Sequence, residues 1–191
     1  MRRLKIIQSL QLRQYYSTSY FRISENSTPV DRYIDPQAPL VIAVTGFDDR
    51  AMINFCLLDR YIIEYEPYNF KGFISDYPLT LAYGKKVDEL RRKYKEYLWD
   101  ANFQDTKGAE VTADGKVRYS VFVTKTGKRA VVVANLEDKK QITAKVKLPK
   151  AGKPAYRTGR LVTVTPENPD EQPTTGTLTI PALSATVVIE Q

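Results

Sequence analysis

At 191 residues with 42% hydrophobic and 11% aromatic content, the chain suits one domain or one and a half, with a core that disordered chains lack. It contains no histidine, which removes Ser-His-Asp and Cys-His nucleophilic mechanisms and nearly all zinc enzymes, leaving carboxylate chemistry as the natural survivor. No stretch reaches the run of about 18 apolar residues that a membrane span needs, and the formal charge of +7 is the one feature that raises nucleic acid as a partner.

That charge is scattered. The one basic run, "KKVDELRRKYK" at 85–95, includes Asp88 and Glu89, and it reads as a solvated helix face. Zinc-finger, RNA-binding sheet and phosphate-loop patterns are missing from the sequence, so nucleic acid is not the expected partner. The single cysteine, Cys56, excludes an internal disulfide and sits in the apolar run "MINFCLL" as a small buried hydrophobe. No cofactor is called for.

The N-terminal stretch "MRRLKIIQSLQLRQYYSTSYFRIS" has five basic residues and no acid before Glu25. It looks more like an organellar presequence than a secretory signal, because no compact apolar segment follows the arginines. An ordinary chain segment is the preferred reading, and the compartment stays open.

Next, "PLVIAVTGFDD" (39–49) is a continuous apolar run ending in Gly and acids, the pattern of a strand buried on both faces. "DDRAMINFCLLDR" (48–60) starts with an Asp cap and places Met52, Phe55 and Leu58 at helical spacing. "YIIEYE" (61–66) is β-branched and aromatic, so it is the next strand. Strand, helix and strand with short connections make a βαβ unit and a parallel pair. A closed barrel takes eight such units, and residues 1–82 offer two or three at most.

"YGKKVDELRRKYKEYLWDANF" (83–103) is an amphipathic connecting helix with Val87, Leu90, Tyr94, Tyr97 and Leu98 near one stripe. Glu89 and Lys93 form a favourable i, i+4 pair, and Trp99 anchors the helix to a neighbouring layer. From about residue 105 the period becomes that of short strands. "KVRYSVFVTKTGKRAVVVANL" is a hairpin closed by a "KTGK" turn, and "QITAKVKLP", "RLVTVTP", "TLTIPAL" and "SATVVIEQ" follow between turn residues. Seven or so such strands define an antiparallel sandwich over 105–191. The fold class is therefore α+β and multidomain: an incomplete β/α-barrel remnant (1–82), a connecting helix (83–104) and the sandwich.

This order, with "YEPYNFKG", "DYPLTLAYGKKVDELRRKYKEYLWDANFQDTKGAEV" and the closing "IPALSATVVIE", resembles the C-terminal portion of glycoside-hydrolase-like proteins. In those a (β/α)8 catalytic barrel is followed by a small all-β domain. The resemblance implies that the strands bearing the nucleophile and the acid/base carboxylate lie upstream of Met1, so no catalytic residue is carried over. It also implies a chain that is catalytically silent alone, with carbohydrate as a partner class. Self-association or a partner chain supplying the missing strands is expected as well. The alternatives are a non-catalytic carbohydrate- or protein-binding sandwich module and, third, a basic organellar or nucleic-acid-associated protein.

Within that frame "YIIEYEPYNFKG" is a barrel-strand exit whose C-terminal end faces a substrate mouth, making Glu66, Tyr68, Asn69 and Asp48 candidate sugar-lining residues. Glu64 and Glu66 share one strand face about 6–7 Å apart, near the lower limit for inverting carboxylate pairs. Catalysis by that pair is disfavoured, since barrel carboxylates come from different strands. Asp48 and Asp49 are better placed to cap a helix. Phe47, Tyr68, Phe70 and Phe73 are candidates for a sugar-stacking platform, although core closure is the preferred role.

Overall fold

A computed structural model describes residues 30–45, 50–66, 72–149 and 159–191, without the side chains of Thr45 and Glu66. Its first part runs α1 (Val30–Ile34), β1 (Val41–Thr45), α2 (Arg50–Asp59) and β2 (Ile62–Glu66). Strands β1 and β2 pair in parallel, with Val41 opposite Ile62 and Thr45 opposite Glu66. The βαβ unit anticipated from the two apolar runs is present, and among the described residues its sheet has two strands only.

A 3₁₀ turn (Ile74–Asp76) leads into α3 (Pro78–Lys93), and α4 (Lys95–Leu98) follows directly. The connecting helix thus starts five residues earlier than its stripe of apolar residues predicts. Pro78 occupies the first turn, where a missing N–H costs nothing. It also ends early, with Tyr94 out of helical conformation between α3 and α4. Lys93 bonds Asp170 at 2.8 Å rather than the predicted Glu89, and the Tyr94 hydroxyl donates to the Pro169 carbonyl at 2.9 Å.

Among the described residues nine strands follow the helices. One antiparallel sheet has the order β3 (Asn102–Phe103), β5 (Val117–Val123), β6 (Arg129–Asn135), β11 (Ala185–Glu190), β8 (Leu161–Val164), β9 (Gln172–Pro173). The other has β10 (Thr177–Ile180), β7 (Ile142–Lys147) and β4 (Glu110–Ala113). Strand β7 buries alternate residues, Ile142, Ala144 and Val146, and exposes Thr143, Lys145 and Lys147, as expected for a strand with one dry face.

The central strands of the larger sheet behave differently. Val121, Val131, Val133 and Val188 pack against the smaller sheet. The residues between them, Phe122, Ala130, Val132, Ala134, Val187 and Ile189, share one core with β1, α2 and α3. The six-stranded sheet is therefore covered on both faces, by a second sheet and by helices. Helix α2 lies between it and the β1–β2 pair, and every residue from Met52 to Asp59 is buried, the polar Asn54 and Asp59 with side-chain hydrogen bonds. The observed class is mixed α+β with mostly antiparallel sheets and few helices.

Candidate functional site

The C-terminal ends of β1 and β2 lie at one edge of their sheet because the strands are parallel. Ile42, Val44 and Ile63 face the helices. Tyr65 does too, its hydroxyl lying where a Cβ on Gly84 would be, so only glycine admits it. By alternation Glu64 occupies the opposite face, where it is exposed and sits across from Ala43. The backbone of Glu66 ends β2 opposite Thr45. The Glu66 side chain, Asp48, Tyr68 and Asn69 lie outside the described residues, as do Phe47, Asp49 and Phe70. Phe73 is 74% exposed, so core closure is not its role.

The opposite end of α2 holds a set of residues that the sequence does not single out. The last-turn carbonyls of α2 form the negative pole of the helix, and two buried arginines serve them. Arg91 donates to the Cys56 carbonyl. Arg32, 1% exposed, donates to the carbonyls of Asp59 (2.6 Å), Arg60 (2.8 Å) and Ala38 (2.5 Å). Arg60 turns the chain at φ 55° and donates from Nη1 to the carbonyls of Trp99 (3.1 Å) and Ala101 (2.8 Å). Arg118 on β5 reaches Asp59 Oδ1 at 2.9 Å. Four segments of the chain meet here through guanidinium groups.

Polar satisfaction is incomplete at this hub. Asp59 Oδ2, Arg60 Nη2, Arg91 Nε and Arg118 Nη1 are buried without a hydrogen-bond partner. Burial pushes the Asp59 carboxyl up to about 6, with Arg118 opposing that shift. Burial, reinforced by Arg32 and Arg91, lowers Arg60 to about 10. A raised carboxyl in a cleft is a functional signal, but Asp59 is 1% exposed and tied to Arg118, so no substrate reaches it. The hub fixes the βαβ unit and α3 onto the larger sheet. In the sequence, the one hint is "LLDR", a charged pair directly after an apolar run.

Two clefts flank Trp99. One, of about 250 Å³, is lined by Asp88, Arg91, Arg92, Lys95 and Trp99. The other, of about 110 Å³, is lined by Gln37, Ala38, Pro39, Arg60, Trp99 and Asp100. Gln37–Pro39 lead into β1 and Arg60 into β2, so the smaller cleft is at the N-terminal edge of the parallel pair, opposite Glu66. Lys95 and Asp100 bond at 2.6 Å between the two clefts. Trp99, expected as an anchor, is half-buried and forms a wall shared by both cavities.

Among the described residues no group of three or more Cys, Asp or Glu side chains is placed to hold a metal ion, and no helix is long and apolar enough to cross a membrane. Comparison with known proteins gives no match: no family model fits the chain, and no curated protein or solved structure aligns with it.

Proposed function

We propose that this chain is the C-terminal portion of a glycoside-hydrolase-like protein, catalytically silent alone, in which a short β/α segment joins a carbohydrate-associated β-sandwich. The observation that carries this is where apolar surface is left uncovered. Among the described residues every exposed large hydrophobic, namely Val30, Tyr33, Ile34, Phe73, Leu79 and Leu81, falls within 30–81, and none falls in the sandwich. The same segment holds the two-stranded parallel sheet, whose outer edges have no neighbouring strand among the described residues. Exposed apolar residues and open edges together mark an interaction face, suited to further β/α units from another chain or a second copy.

The test is the light-scattering mass of the purified chain over a concentration series, with hydrolysis assays on chromogenic glycosides. Self-association abolished by serine at Ile34, Phe73 and Leu79, with no turnover, is expected. Glycoside turnover by the chain alone would overturn the proposal, and a strict monomer would eliminate a second copy as the occupant of that face.

One observation favours a second reading, a self-contained binding module. The core that begins at Ile42 and Val44 continues without a break through α2 and α3 to Val187 and Ile189. In that case the chain stays monomeric and binds its ligand without hydrolysis.

A further inference from the structure

We infer that the larger cleft beside Trp99 is a subsite for a sugar carrying a carboxylate, such as a hexuronic acid unit. Three features of the cleft lead there, and the first is its wall. Trp99 presents an indole in a space of about 250 Å³. That is below the roughly 300–1,000 Å³ of pockets for drug-sized ligands, and it suits one ring. The apolar C–H face of a pyranose fits an aromatic wall with a polar rim.

The second is rigidity. Arg91 is buried, with 5% of its side chain exposed, and its guanidinium lies 5.6 Å from the centre of the Trp99 ring. Its hydrogen bond to the Cys56 carbonyl ties it to α2. Arg60 fixes the Trp99 backbone, donating to its carbonyl at 3.1 Å. A site built this way needs little ordering when a ligand enters.

The third is charge. Around the cleft stand three cations and one carboxylate. Lys95 is already paired with Asp100, and Asp88 lies 3.7 Å from Arg91. Arg92 is exposed and, among the described residues, makes no ion pair within 4 Å, its charge acting on Asp88 one turn away. A guanidinium offers two parallel N–H donors to a carboxylate, while Asp88 remains available to accept from ring hydroxyls. A neutral sugar would leave that guanidinium without a bidentate hydrogen-bond partner. The choice of a sugar over other flat anions rests on the carbohydrate-associated reading proposed above.

Trp99 is the sole tryptophan of the chain, so its emission reports on the cleft directly. The experiment titrates the full chain with trigalacturonic acid, maltotriose and AMP, following emission and, in parallel, the heat of binding. Saturable binding of the uronide at least tenfold tighter than maltotriose or AMP is expected. Arg92→Ala should weaken the uronide at least tenfold while its urea unfolding curve matches the wild type. Absence of uronide binding by both readouts, equal binding by Arg92→Ala, or tighter binding of AMP or maltotriose would overturn the assignment. None of these results touches the mass and hydrolysis measurements that judge the ancestry, so the two failures are separable.

Discussion

Substituting Asp59 by Asn isolates the energetic cost of a buried charge at the arginine hub. The carboxyl is raised from an ordinary value of 3.8 to about 6, burial being the main cause. A shift of about two units corresponds to about 3 kcal/mol of preference for the protonated form in the folded state. The sign follows from proton binding. Between about pH 4 and 6 the folded chain holds a proton that the unfolded chain releases, so stability falls by about 3 kcal/mol as pH rises through that window and is level above it. The introduced amide stays neutral and still offers Arg118 an oxygen acceptor, so Asp59→Asn lacks this fall. The charged groups acting on Asp59 are Arg118, Arg32 and Asp105, all retained in the variant. Urea unfolding of both proteins, read by Trp99 emission at pH 4 and pH 7, should show the variant gaining about 2 kcal/mol on the wild type between the two conditions, part of the fall lying below pH 4. Comparing the pH values cancels whatever the substitution costs in packing. An equal difference at both pH values would refute the reasoning, and a gain at pH 4 instead would reverse it.

Two further substitutions probe the same assembly. Arg32→Lys keeps the charge but loses the planar fork that serves three carbonyls. It should cost about 3 kcal/mol or more, at the scale of hydrogen bonds to charged groups, measured by urea unfolding. Gly84→Ala adds a Cβ 1.9 Å from the Tyr65 hydroxyl. It should destabilise by about 1–2 kcal/mol despite alanine's better helix propensity, and Tyr65→Phe in the same chain should recover part of that loss in a double-mutant cycle.

Local pattern carries the strand segments well. The "KTGK" turn closes β5 onto β6, with Val123 opposite Arg129. The alternation in "ITAKVK" is the burial pattern of β7. The two apolar runs around "RAMINFCLLD" become the parallel pair β1 and β2. The packing of helices on the larger sheet is less legible, although "AVVVA" in β6 is apolar without alternation, the mark of a strand covered on both faces. Strands β3 and β9 are two residues long and have no period to read. The hub is out of reach for a different reason. Arg32, Asp59, Arg91 and Arg118 are residue types found mostly on surfaces, and only tertiary folding brings them to one helix end. Local pattern favours the carboxylates near the end of β2, whereas the two clefts beside Trp99 are lined by other residues, the smaller one at the N-terminal edge of the sheet.

Among the described residues the β1–β2 sheet presents open edges beside a packed sandwich, and the proposed function depends on those edges. Hydrogen exchange of a dilute, monomeric sample measures this directly, residue by residue. The account predicts that the outward-facing amides of β1 and β2 exchange orders of magnitude faster than those of β6 and β11, while α2, buried between the sheets, stays protected. Outer-edge amides of β1 and β2 as slow as those of β6 would contradict it, showing that the sheet is already complete within this chain.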